Sequence, residues 1–216
     1  MTLFGLGMEK LALFALAVLL LALTPGPVWI YLISRTLTQG RRAGYFSLIG
    51  VMLGVLVHLF AAAMGLSALL IALPAAFDAI RLAGAAYLLW LAWSTLRGGG
   101  FSFTPAPLDP VPDRVLLRQS MTASVVNPKT AVFYLSLFPQ FVDPVHGNVL
   151  LQSLALGIVH ISVSTLVDGT LVTVAGALAA WIGPRPLWLK MQRWLLGSAF
   201  GVLAIWLAMT PRQTGS

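Results

Sequence analysis

Residues 11–34 read LALFALAVLLLALTPGPVWIYLIS, and this stretch decides the class of fold. It holds no acidic or basic residue. At ~1.5 Å of rise per residue, such a run crosses a hydrocarbon core of ~30 Å. Lys10 followed by Leu11–Leu23 imitates a signal peptide, but no A-x-A site closes the run and it continues through Pro25-Gly26-Pro27 to Ser34. It reads as a retained first span with a break inside it.

The rest of the chain has the same character. Of its 216 residues 59% are hydrophobic and only 9% are charged, where about 25% is usual for a soluble domain. With a mean hydropathy of +0.92 there is too little polar surface to face water, which excludes a soluble globular domain and a disordered chain. The expected architecture is an all-α polytopic membrane protein with six transmembrane helices, at roughly 11–34, 45–72, 77–96, 117–141, 151–181 and 188–209. The second and fifth exceed a perpendicular span, which implies tilt or an interfacial turn. Pro74 and Pro184 are the natural ends for them.

Several chemistries are excluded by absence. The chain has no cysteine, so disulfides, thiolate metal sites and thiol nucleophiles are out. None of its three lysines follows a glycine, so there is no GxxxxGK phosphate loop, and HExxH is missing too. No cofactor, metal or catalytic set is implied. The net charge of +7 sits between hydrophobic runs, where it orients a chain in a bilayer rather than binding nucleic acid.

Gly98-Gly99-Gly100 and the prolines at 105, 107, 110 and 112 make 98–113 an interhelical linker. It divides a single membrane domain, 1–216, into halves of about 1–97 and 114–216. Nine basic residues, from Arg35 to Arg193, flank the connections on one side, against Lys10, Arg81 and Arg212 on the other. That bias places both termini outside the cytoplasm.

Sliding the second half back by 103 positions sets Pro128 on Pro25, Tyr134 on Tyr31, Leu135 on Leu32 and Gly157 on Gly54. His58 and His160 follow their glycines by four and three residues. Three helices per half make the halves two inverted repeats, a recurrent plan of secondary transporters.

The breaks are the candidate site. Pro25 and Pro27 free the carbonyls of Leu21 and Leu23, and Pro128 frees that of Ser124, because proline has no N–H to donate. Gly26 lets another group approach the backbone. Thr24 and Asn127 add a hydroxyl and an amide at equivalent positions of the repeat. The candidate substrate-binding set is therefore Thr24, Pro25, Gly26, Pro27, Asn127, Pro128 and Lys129. The plainer reading is a pair of kinks healed by neighbouring side chains and water. Lys129 either reinforces an anion site at the start of a half-helix or snorkels outward. Asp168 is the only acid well inside a span, which makes it the first candidate for proton coupling. His58 and His160, whose ordinary titration range lies near neutral pH, come next. Trp90, Trp93, Trp181, Trp188 and Trp194 fall near proposed span ends and read as interfacial anchors.

Thr24-Pro25-Gly26-Pro27, then Gly40-Arg41-Arg42-Ala43-Gly44, Gly50, Gly54 and Gly65-Leu66, resemble the opening signature of LysE/RhtB-type amino-acid exporters. Asn127-Pro128-Lys129 followed by Phe138-Pro139-Gln140-Phe141 is similar to that family's second signature. The resemblance runs in order from about residue 10 to 209. It implies a bacterial inner-membrane secondary exporter of amino acids or related small metabolites. Val28 departs from the polar residue that many relatives carry after TPGP, so no one member's specificity transfers.

A proton antiporter needs no ATP for this work. A hundredfold gradient costs about 2.8 kcal/mol, and one inward proton gains about 2.3 kcal/mol per 100 mV. The expected partners are an amino-acid-like substrate, protons and the lipid bilayer, with homo-oligomerisation left open. The alternative is an integral-membrane enzyme acting on a small or lipid-like substrate. It would need a convergent acid–base or metal set from one intramembrane acid and two separated histidines.

Overall fold

Proline and glycine punctuate an otherwise apolar chain, and several of its helices begin or end on them. The computed structural model describes residues 2–72, 74–97, 108–143, 147–182 and 186–209. A short hairpin, β1 (Thr2–Leu3) with β2 (Leu6–Gly7), leads into α1, Met8–Leu23. The chain resumes as α2, Pro27–Gln39, bent by 58° from α1. Gly40, with a φ of 85°, closes α2 in the left-handed region, so α3 (Arg41–Ala72) starts at once. α4 is Pro74–Leu96 and α5 is Asp113–Val125. A short α6, Pro128–Val132, passes into a π-helical turn at Phe133–Leu137 and a 3-10 turn at Phe138–Phe141. α7 (Val149–Ile182) and α8 (Pro186–Met209) follow.

Helices occupy all six expected regions, with differences at their ends. Pro74 follows the end of α3 and also opens α4, where its missing N–H costs nothing. Pro184 lies outside the described residues. The fourth region starts earlier, at Asp113, so the linker is shorter than expected, and its residues 98–107 lie outside the described ones. The π and 3-10 turns were not expected. Pro139 cannot bond back to Leu135, and the ladder changes pitch just ahead of it. By length and composition, α3 over Arg41–Gly65 and α7 over Val149–Ala175 can cross a membrane, and α1 with α2 makes a third if the bent pair is one span. Six spans go beyond what those criteria establish for the described helices.

The two broken segments run antiparallel. Lys10 Nζ lies 3.5 Å from Asp143 Oδ2, so the start of α1 sits beside the end of the 3-10 turn. Arg42 pairs with Asp113 at 2.8 Å and Arg35 donates to the Asp109 carbonyl at 2.7 Å, so the end of α2 sits beside the start of α5.

Close packing fixes the breaks in place. Gly50 and Gly54 of α3 face Ser120 and Ser124 of α5, and a Cβ on either glycine would overlap the α5 serines and backbone carbonyls. Such small residues four apart let two helix backbones approach where lipid offers no hydrophobic drive. The largest core cluster centres on Phe14, whose ring meets Phe133, Phe138 and Phe141 at 5.8, 5.9 and 5.1 Å. Smaller clusters join α2 to α3 and α7 through Leu32, Leu48 and Val172, and through Ile33, Leu171 and Ala175. Trp90, Trp93 and Trp194 are each more than half exposed, as anchors would be, while the side chains of Trp181 and Trp188 lie outside the described set.

Candidate functional site

Each half carries one break just ahead of a proline-led helix, and each break is met by a side chain from the other half. At the first, Pro25 leaves the Leu21 carbonyl without its usual donor. Lys129 supplies one from its ammonium at 3.0 Å and gives a second bond, at 2.8 Å, to the Thr24 carbonyl. Charge-assisted bonds of this kind are roughly twice as strong as neutral ones. At the second break, the freed Ser124 carbonyl faces Nε2 of His58 at a longer 3.4 Å. Two of the three donors of Lys129 thus hold the breaks together, which rules out the outward snorkel.

Asn127 caps α6: its side-chain oxygen accepts from the Lys129 backbone N–H at 3.1 Å. The start of α6 is therefore partly occupied, and any anion there would rest on the Lys129 ammonium rather than on free N–H groups. Thr24 gives its hydroxyl to the Leu20 carbonyl at 2.7 Å, so its contribution to the site is its backbone oxygen. Gly26 is extended, with φ −166°, and Lys129 Nζ lies 3.5 Å from where its Cβ would be, an ordinary contact. Pro27 and Pro128 each occupy the first position of their helix, two residues off the register that set Pro25 on Pro128.

The histidines belong to a three-ring stack. The Tyr134 ring is near-parallel to both, 5.8 Å from His58 and 5.2 Å from His160, with planes within 9° and 12° of parallel. Tyr134 Oη and His160 Nδ1 share a hydrogen bond of 3.1 Å, and both residues are buried. Asp168 is also buried, and its Oδ1 has no hydrogen-bond partner, nor has the indole Nε1 of Trp29.

A half-open pocket gathers these groups. From α1, α2 and α3 it takes Leu21, Ala22, Val28, Val51, Met52 and Val55, together with the Trp29 indole. From the second half come Ser124, Asn127, Lys129 and Thr130, and from α7 His160, Ser164 and Asp168. Lys129 and Asp168 thus line one pocket, and among the described residues no salt bridge joins them. Pro25, Gly26, Pro27 and Pro128 shape the breaks without lining the cavity. His58 does not line the cavity and reaches it only through its contact with the Ser124 carbonyl.

Four participants were not expected. Ser164 sits midway between His160 and Asp168, and that spacing of four on an otherwise apolar helix is a legible signal. Tyr134 appears in the repeat but has no mark of function until the rings stack. Trp29 reads as one more aromatic in an apolar run. Arg35 counts as a flanking charge in the sequence, yet it is buried. It bonds Gln39 at 2.9 Å, Gln119 at 2.9 Å and the Asp109 carbonyl, strapping the linker's end to α2.

A family model described as LysE type translocator matches residues 19–210. An uncharacterized membrane protein of Pseudomonas aeruginosa is 32% identical over 93% of this chain and 92% of its own length. A homoserine/homoserine lactone efflux protein of Salmonella typhi is 33% identical over 85% of this chain and 86% of that protein. A leucine efflux protein of an Enterobacter strain is 33% identical over 57% of this chain and 59% of that protein. No solved structure matches the chain. The match covers both breaks, the cavity that joins them and the helices that pack them together: the chain belongs to the LysE type translocator family.

Proposed function

We propose that this translocator is a secondary-active exporter that moves amino acids or closely related zwitterions out of the cytoplasm by proton antiport. The observation that carries the reading is Lys129. Its ammonium bridges two helix breaks from opposite halves and opens onto a cavity that also holds a buried carboxylate, one oxygen of which has no hydrogen-bond partner. A substrate carboxylate displaces one of the backbone carbonyls from Lys129, and that exchange couples binding to movement of the breaks. Asp168 carries the coupling proton, with His160 and, through Tyr134, His58 as further candidates. Export is supported by the efflux proteins of Salmonella and Enterobacter that the chain is similar to. Membership in a translocator family sets the membrane-enzyme alternative aside.

The antiparallel course of the two broken segments supports six spans in two inverted halves, about 1–97 and 114–216, within one membrane domain. Some helix contacts support it too: α3 packs on α5 as α7 packs on α1, while α3 meets α7 and α4 meets α8, pairings that survive exchange of the halves. The inner membrane with both termini outside the cytoplasm is the location that goes with the charge bias, and self-association is compatible with it. The test is export by purified protein in vesicles preloaded with radiolabelled amino acids under an imposed pH gradient. Efflux that accelerates with an inward proton gradient is expected. Conversion of the label to a new compound without efflux would contradict the reading.

A further inference from the structure

Each half of the chain builds one wall of the cavity, and the walls differ in kind. The wall from α1, α2 and α3 is apolar: Leu21, Val28, Val51, Met52 and Val55 close it, with Trp29 Nε1 as its one side-chain polar atom. The wall from the second half holds every charge and hydroxyl on the cavity, including Lys129 and Asp168. Resting on the exporter reading, we infer that the substrate is an amino acid with an aliphatic side chain, seated against Val28, Val51, Met52 and Val55.

A zwitterion presents a carboxylate and an ammonium on one carbon. Lys129 and Asp168 have opposite charges, share the cavity and are not paired by a salt bridge, so they match those two groups. With both ends of the α-carbon engaged on the polar wall, the side chain is left to the other one. A side-chain hydroxyl there finds no partner, because the one polar side-chain atom on that wall, Trp29 Nε1, is itself buried. Leaving a buried donor unpartnered costs its full desolvation. A charged side chain fares worse. An aliphatic one replaces water on a surface that has no hydrogen bonds to offer it.

The closing experiment uses norvaline and homoserine, which differ by a methyl in place of a hydroxyl. Full-length protein in proteoliposomes is loaded with each at equal concentration, with leucine as a branched comparison. Norvaline and leucine should leave at least ~tenfold faster than homoserine, the discrimination typical of a pocket that reads one small group. Val28→Thr keeps the shape and adds a hydroxyl, and Met52→Gln adds an amide; each should narrow the norvaline-to-homoserine ratio severalfold. Homoserine leaving as fast as norvaline overturns the inference and leaves the exporter reading intact. So does a ratio unchanged in both variants. Efflux of all three no faster than from protein-free vesicles overturns the exporter reading itself.

Discussion

In the first half α1 stops at Leu23 and α2 resumes on Pro27; in the second α5 stops at Val125 and α6 resumes on Pro128. The backbone is interrupted in the same manner, but the two interruptions are satisfied unequally. Each freed carbonyl keeps one backbone N–H, from Thr24 at 3.3 Å and Asn127 at 3.2 Å. The first break adds a cation at 2.8 and 3.0 Å, whereas the second adds an imidazole at 3.4 Å. The cavity between them repeats the asymmetry, with an apolar wall from one half and a charged wall from the other. The comparison teaches that two helix breaks of similar form can flank a site without sharing its chemistry. Unequal bonding also makes the second break the one that yields with less loss, since removing the charged bonds costs more.

Substitutions can break that contrast in graded ways. The largest effect is expected at Asp168, the acid of the charged wall. Asp168→Asn should abolish export against a gradient while leaving downhill exchange measurable in the same vesicles. A mutant that still concentrates substrate would move coupling to His160 or His58. Next comes the packing that brings the halves together. Gly54→Leu drives a side chain into Ser124 and the Met121 carbonyl, and should lower stability by ~1–3 kcal/mol, as overpacking usually does. Thermal unfolding in detergent reads this as a lowered Tm, and an unaltered Tm would show that α3 and α5 are not held at this distance. The smallest effect is expected at Gly26. Its extended backbone suits any residue and its Cβ would meet Lys129 at an ordinary 3.5 Å. Gly26→Ala should therefore stay within ~0.5 kcal/mol of the parent in stability. A folded Gly26→Ala without transport would mean that substrate must touch the backbone there.

Much of this contrast is legible in the sequence because it is written in covalent chemistry. Proline lacks a donor wherever it sits, so the breaks and the freed carbonyls of Leu21 and Ser124 follow from Pro25 and Pro128 alone. Lys129 and Asp168 stand out because so few charges interrupt the apolar runs. What depends on side-chain direction is not legible. The Thr24 hydroxyl turns back onto Leu20, and the Asn127 amide caps its own helix. Tyr134 matters only because two histidines from distant helices stack on it. Arg35 looks like a surface charge until α2 packs against the linker and buries it. The apolar wall is the extreme case, since Val28 and Val51 resemble dozens of other aliphatic positions in this chain. Only their convergence on one pocket with Lys129 sets them apart.

The central claim is that Lys129 joins the two breaks and takes the substrate carboxylate, and one measurement addresses it directly. Lys129→Gln keeps the length and some hydrogen bonding but removes the charge; it should insert in the membrane at the level of the parent. Its apparent affinity for exported amino acid, read from efflux against internal concentration in proteoliposomes, should fall by at least ~tenfold, about 1.5 kcal/mol on the scale of charged hydrogen bonds. Lys129→Arg, which keeps the charge in a wider planar head, should retain part of the transport. Efflux by Lys129→Gln with the parent's affinity and rate would contradict the claim and leave this lysine a strut between two kinked helices.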